Sequence, residues 1–309
     1  MAEEKSFCHL LELPANVLMM IVDKTETKER CRFSGCSTLC NKAAKSSKHY
    51  IHGLTIESYG NNVYISVQYD SFNDGYGLFF EKELEIDRKY VKCKSLDHRE
   101  LWTTDLDNSV NLAQLALPYF KNLLRMHQNK IKKLIIAMTY LRESDFEIKS
   151  LRNLEQMRIT CDNTDIRQLL SKTRKNLTDF IYQKKQMDDP GLKDCEQIYQ
   201  VKETLLLPFI KLNNEQFLRL SASYIEINIG ELTEKDIYNF VQSWKNGTIG
   251  KRIKRYEWYL RNSNFDVKKV FALLGTGNEE LEIKQTKEDG EVVLLKFVEW
   301  ESILLFLVL

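Results

Sequence analysis

The run Leu13–Val22, LPANVLMMIV, sets Val17, Leu18 and Ile21 at i, i+1 and i+4, one apolar face of a helix entered through Leu13-Pro14. Proline suits that entry because N–H groups in a first helical turn have no partner within the helix. The polar stretch DKTETKER follows and offers Thr25 or Thr27 as a cap before another helix. Residues 10–48 are therefore expected to form short helices. Between 51 and 69, IHGLTIESYGNNVYISVQY places two β-rich runs on either side of Gly60-Asn61-Asn62, which predicts a hairpin.

From about residue 109, SVNLAQLALPYFKNLLRMHQ predicts a helix that runs up to a strand, IKKLIIA, and Pro118 predicts a kink or a division within it. A rhythm follows. The strand-like pieces IKKLIIA, LRNLEQMRI and NLTDFIY carry Leu134, Met157 and Phe180, each 23 residues from the last. That period falls inside the ~20–29 residues of leucine-rich repeats, and Leu151-x-x-Leu154-x-x-Met157-x-Ile159 matches the strand half of one. Helix-like segments such as NTDIRQLLSKTRK lie between the strands. In such an array each strand–helix unit buries its face only against its neighbours. Chance also yields two equal spacings, so the spacing alone leaves a repeat and an irregular fold equally open. The rhythm loosens over 183–208, where QMDDPG reads as a turn, and resumes in YIEINIGELTEKDIYNFVQSWKNG and IKRYEWYL. A hairpin is predicted around Asp289-Gly290, and ESILLFLVL reads as a final buried strand or helix turn. The expected fold class is α/β (α+β), with a small helical domain at 7–48 and an irregular leucine-rich-repeat-like strand–helix array at 49–309.

Charge narrows the partners. The 309 residues hold 45 Lys and Arg against 44 Asp and Glu, whereas a phosphate backbone favours a basic surplus or stripe. The densest basic run, KRIKRYEWYLR at 251–261, interleaves aromatics, which fits a single-strand nucleic-acid face or, preferably, a strand with solvated charges. No nucleic-acid partner is expected. The apolar run Ile303–Leu309 is far below the ~20 residues of a membrane helix, so no membrane partner is expected either. MAEEKSFCHL shows no secretory signal, and seven irregularly spaced cysteines, an odd count, fit free thiols in the cytoplasm or nucleus. The sequons at Asn176 and Asn246 then carry no weight.

The familiar catalytic signatures are missing: there is no Gly-rich phosphate loop, no H-E-x-x-H, no G-x-S-x-G and no kinase set. The acidic pairs Asp188-Asp189 and Glu279-Glu280 are neighbours in sequence and do not converge on one atom. Cys31, Cys36 and Cys40, followed by His49 and His52, can be drawn as a zinc site. On a helix, however, Cys36 and Cys40 share a face, Cys31 lies well round the cylinder, and Leu39 and Ala43 continue the stripe. Packing is the favoured reading of these cysteines, with no metal, no cofactor and no enzymatic role.

Leu13-Pro14, the apolar helix, the polar break and FSGCSTLCNKAAKS together resemble an F-box, most closely that of the large nematode family of F-box proteins. The residues that carry the resemblance are Ser34, Cys36, Ser37, Lys42, Lys45 and Ser46. The stretch Leu212–Leu260 is similar to the type-two F-box-associated domain through Ile225, Thr233, Asp236, Ile237, Phe240, Trp244 and Gly247, and the Asp289-Gly290 hairpin with Trp300 also fits. The chain departs from the pattern at Gly35, where leucine is usual, at Tyr238, and at Lys28-Glu29-Arg30, which replaces an apolar segment. The resemblance implies the substrate-recognition subunit of a cullin–RING (SCF-type) ubiquitin ligase. Such a subunit binds a Skp-type adaptor, and with it the cullin complex, through the F-box, and an unidentified protein substrate through the C-terminal domain. Leu13, Pro14, Val17, Leu18, Ile21, Cys36 and Leu39 are the expected adaptor-facing and F-box-core set. The alternative is a leucine-rich-repeat-like interaction module whose F-box has degenerated and which has no ubiquitin-ligase role. Least favoured is an enzyme, zinc-dependent or otherwise.

Overall fold

The computed structural model describes residues 14–25, 51–59, 62–68, 75–85, 88–95, 100–105, 111–138, 148–161, 166–173, 177–183, 191–249, 252–260, 264–276 and 281–309. The chain divides into two compact units, one of residues 1–135 with 147–153 and the other of 136–146 with 154–309. The expectations for Cys31 to Ser46, for His49 and for the QMDDPG turn lie outside the described residues. Among the described residues the architecture is a mixed α/β one dominated by sheet, with few helices.

In the first unit, helix α1 (Ala15–Lys24) precedes an antiparallel meander. Its strands are β1 (Ile51–Tyr59), β2 (Asn62–Gln68), β3 (Gly75–Glu85), β4 (Arg88–Ser95) and β5 (Glu100–Asp105). Each pairs with the next in sequence. The predicted hairpin is present, with Tyr59 opposite Asn62. Alternation drives the pairing: Val63, Ile65 and Val67 are buried on β2, and Val63 faces Phe80 while Ile65 faces Leu78 on β3.

Helix α2 (Leu112–His127) packs on β1, β2 and β3. It buries Leu112, Ala116, Phe120 and Leu124, one every fourth residue, so a single stripe meets the sheet. Asn111 starts it by accepting a hydrogen bond from the Ala113 N–H at 2.9 Å. Of the two expected outcomes, division does not occur: the helix runs unbroken through Pro118. Proline removes the donor to the carbonyl of Gln114, and both residues are exposed, so water can take the freed carbonyl. Beyond the helix, Gln128 Oε1 accepts from the N–H groups of Lys149 (2.9 Å) and Ser150 (3.4 Å), which ties 147–153 to this unit. Strand β6 (Ile131–Met138) follows, its first five residues in this unit.

The second unit contains five parallel strands, β7 (Gln156–Cys161), β8 (Asp179–Gln183), β9 (Thr204–Lys211), β10 (Tyr224–Asn228) and β11 (Arg255–Tyr259). Beyond β11 the sheet turns antiparallel in the order β14 (Ile303–Val308), β13 (Val292–Val298), β12 (Glu282–Thr286). The chain end is thus a strand. Short helices α3 (Arg167–Ser171), α4 (Glu196–Tyr199), α5 (Asn214–Leu218) and α6 (Glu234–Lys245) make the crossovers, and α7 (Val267–Leu273) packs on α6. Met157 does pair with Phe180, but the partners that continue the row are Leu205, Ile225 and Tyr256, so the 23-residue step is not maintained.

One cross-strand row runs through the core: Met157, Phe180, Leu205, Ile225, Tyr256, Phe306 and Leu295 are adjacent in register and all buried. Helices α5 and α6 cover it with rings. Phe240 lies 5.1 Å from Tyr256 and 5.3 Å from Phe306, Phe217 lies 5.0 Å from Phe240, and Trp244 is 5.5 Å from Phe306.

Two devices fix α6 over this row. At its start Thr233 and Asp236 form a capping box, in which the Thr233 N–H donates to Asp236 Oδ2 at 2.8 Å. At its end Gly247 (φ +70°) donates to the carbonyl of Trp244, and Thr248 to that of Ser243, both at 2.9 Å, the αL termination that glycine favours. Gly230 (φ +56°) makes the tight exit from β10, where a Cβ would stand 2.8 Å from the Lys211 backbone.

Trp244→Ala is expected to destabilise the second unit by about 3–5 kcal/mol, read as a lower midpoint of urea unfolding by circular dichroism. Loss of the cap in Thr233→Ala is expected to cost only about 1 kcal/mol in the same measurement.

Candidate functional site

Two surfaces, one in each unit, carry the features that can contact another molecule. The first is on α1. Pro14 stands at its N-cap with an extended ψ of 142° and accepts from the N–H groups of Val17 (2.9 Å) and Leu18 (3.0 Å). At the other end Thr25 Oγ1 donates to the carbonyl of Ile21 at 2.6 Å. Leu18 and Val22, four residues apart, are fully buried and anchor the helix. Round the cylinder Val17 is half-buried, Ile21 is 40% exposed and Met20 is 61% exposed.

This arrangement separates the expected set. Pro14, Val17 and Ile21 reach the surface, while Leu18 belongs to the interior. Leu13, Cys36 and Leu39 lie outside the described residues. Met20 was not expected from the sequence, although its place three residues beyond Val17 and beside Ile21 was a readable signal. A ten-residue helix that leaves such apolar side chains in water has a second face suited to a partner.

The second surface is the face of the second unit's sheet opposite the buried row. There the register runs Arg158, Ile181, Leu206, Glu226, Glu257, Leu305, Lys296. Glu226 and Glu257 are direct neighbours on β10 and β11. The Tyr259 hydroxyl donates to Glu226 Oε1 at 3.1 Å, and the Tyr224 hydroxyl to Glu257 Oε1 at 3.2 Å. Arg255 forms an ion pair with Glu257 and stacks 5.5 Å from the centre of the Tyr224 ring. Glu257 is only 5% exposed, a burial that its two donors make tolerable.

Burial raises the Glu226 carboxyl above its ordinary range; the Tyr259 hydrogen bond opposes the shift, and the charge of Glu257 and a hydrogen bond with it add to the rise. Burial likewise pushes the phenols of Tyr224 and Tyr259 upward, and the neighbouring carboxylates push them further. Phenols so disposed hold their protons at neutral pH and serve as donors. This chemistry suits recognition of a positive charge more than proton transfer.

In the basic run at 251–261, Tyr256 and Trp258 are buried in the core, so they offer no ring to a nucleic-acid base. Among the described residues no group of three or more His, Cys, Asp or Glu could hold a metal ion, and no helix is long and apolar enough to cross a membrane. Trp300 stands 84% exposed at the turn between β13 and β14.

Residues 10–52 match the F-box domain family. No curated protein and no solved structure matches the chain. F-box domains bind Skp-type adaptors in SCF complexes, and proteins that carry them are in general non-catalytic substrate adaptors. The domain thus points to an adaptor-binding role of the SCF ubiquitin-ligase type, and α1 lies inside it.

The raised Glu226 pKa has a consequence with a definite sign. A carboxyl that binds its proton more tightly when folded contributes stability below the unfolded value of ~4.3, and loses it as pH rises through the raised folded value. Glu226→Gln, which cannot ionise, is expected to flatten that part of the stability–pH curve in urea unfolding run across the acid range.

Proposed function

We propose that this protein is the substrate-recognition subunit of a cullin–RING ubiquitin ligase. The F-box at 10–52 binds the Skp-type adaptor, and the C-terminal region holds a target protein. The observation that carries the reading is the F-box match, with the exposed Met20–Ile21 face of α1 inside it. Val17, Met20 and Ile21, with Pro14 at the helix entrance, form the adaptor contact on α1. Leu18 holds that helix in place from within. Leu13, Cys36 and Leu39 complete the adaptor-facing and core set.

The resemblance of 212–260 to a type-two F-box-associated domain, and the parallel strands with helical crossovers, support a leucine-rich-repeat-like target-binding region. The proposed domain limits remain 7–48 and 49–309. The mechanism is proximity: a bound target's lysines gain a high effective concentration near the conjugating enzyme, and no residue of this chain need form a covalent bond. Cytoplasm or nucleus is the proposed location.

Co-expression with a Skp-type adaptor tests the first half of the reading. Wild type is expected to co-purify with the adaptor, and the double variant Met20→Asp, Ile21→Asp to lose at least about tenfold of that yield, since charges in a desolvated apolar contact cost several kcal/mol. Equal yields from both proteins, with unchanged circular dichroism, overturn the proposed contact.

A further inference from the structure

The face centred on Glu226 and Glu257 has a spacing that names a kind of partner. This inference rests on the target-receptor reading above and specifies what the target presents. Strands in a sheet lie about 4.8 Å apart, so the midpoint of the two carboxylates is about 7 Å from Leu206 on one side and from Leu305 on the other. An extended chain advances about 6.7 Å in two residues and turns residues i−2, i and i+2 to the same side. A segment laid across the strands would therefore set a residue over the carboxylates and its i±2 neighbours over Leu206 and Leu305.

Charge decides the central residue. Two carboxylates face one another, and Arg255 neutralises only one of them. Glu226 is hydrogen-bonded to the Tyr259 phenol and to the Glu257 carboxyl, whereas a carboxylate offers about four acceptor positions, so it keeps capacity for a further donor. Glu226 is only half-buried, within reach of an incoming side chain. The nearest cations elsewhere on the row, Lys296 and Arg158, stand two strands from Glu257 and three from Glu226, and Lys296 is paired with Glu282 at 2.9 Å.

We infer that this face docks an extended segment of the target protein with the pattern apolar–x–Lys/Arg–x–apolar, the cation on the half-buried Glu226 beside Glu257 and the apolar residues on Leu206 and Leu305. The fit is one of charge and of strand spacing together. It requires that the segment cross the strands, because along a strand the same-face neighbours of Glu226 are Tyr224 and Asn228, not apolar residues.

The test uses the full-length chain and a labelled synthetic peptide, acetyl-Gly-Leu-Ser-Lys-Ser-Leu-Gly-amide, in fluorescence anisotropy. Saturable binding is expected, weakened about tenfold or more when the peptide lysine becomes glutamine, and by a similar factor in Glu226→Gln protein. Leu206→Ser and Leu305→Ser probe the apolar contacts and are each expected to weaken binding severalfold. Absence of binding to wild type, equal binding of the glutamine peptide, or insensitivity to Glu226→Gln overturns the inference. So does self-association of the chain through this face, seen by sedimentation as a dimer that Glu226→Gln abolishes. Adaptor co-purification is scored on the same proteins. If the adaptor is retained and the peptide result fails, this inference falls and the receptor reading stands, whereas loss of the adaptor from wild type overturns that reading whatever the peptide does.

Discussion

A strand can bury only every second side chain, and in the second unit that rule divides the labour of the molecule. The row from Met157 through Phe180, Leu205, Ile225, Tyr256 and Phe306 to Leu295, with the buried Ile159, Tyr182, Leu207, Ile227, Trp258 and Leu304 beside it, carries the packing on one side of the sheet. Because α5 and α6 spend their aromatic rings on that row, the alternate positions are released from structural duty. They can then hold Tyr224, Glu226, Glu257 and Tyr259, groups that an interior would not accept without partners. A shift of one residue in the register of β10 or β11 would exchange the two sets and bury the carboxylates under α6. The capping box at Thr233 and the αL exit at Gly247 matter for the same reason. They fix where α6 begins and ends, and so keep Phe240 and Trp244 over the strands they cover.

Much of this was readable where the pattern was periodic. The hairpin of β1 and β2, the helix before β6, strands β10 and β11 with α6 between them, and the turn at Asp289-Gly290 follow from alternation, helical spacing and turn residues. Three features were not read. The meander of β3, β4 and β5 is dense in charge, as in EKELEIDRKYVKCKS, and polar alternation on a sheet gives a weaker signal than apolar alternation. Strand β9 contains Pro208, which normally argues against a strand, yet Leu205 and Leu207 before it bury fully and hold the strand in place. Helix α5 is five residues long, too short for periodicity, although its Asn213-to-Gln216 capping box was visible in the sequence.

The surfaces were legible to different degrees. On α1, helical spacing sufficed to collect Val17, Leu18 and Ile21, but not to separate the half that anchors from the half that faces out. Leu18 and Ile21 are 60° apart on the cylinder, and only the packing of neighbours decides which of them meets water. The carboxylate face was beyond the sequence for another reason. Glu226 and Glu257 are 31 residues apart, joined only by the parallel register of β10 with β11, and no local pattern encodes that register. The run KRIKRYEWYLR shows the same limit, since within its strand Tyr256 and Trp258 turn to the core while Arg255, Glu257 and Tyr259 turn to the opposite face.

A receptor that acts by proximity puts unusual demands on such a face. It needs enough affinity to retain a target while lysines elsewhere on that target are modified, and enough weakness to release it afterwards. A purely apolar face would bind without discrimination. A carboxylate pair already supplied with phenols and a guanidinium gives up little of its internal bonding when a further cation arrives, so the gain is modest while the penalty for a wrong side chain is large. A neutral residue over Glu226 would desolvate a charged acceptor and offer nothing in return. An acidic one would add repulsion. The pairing of Tyr259 with Glu226 and of Tyr224 with Glu257 does more than make two buried acids tolerable: it holds both carboxylates in fixed positions, and under the proposed docking selectivity would come from excluding wrong partners rather than from tight adhesion to the right one.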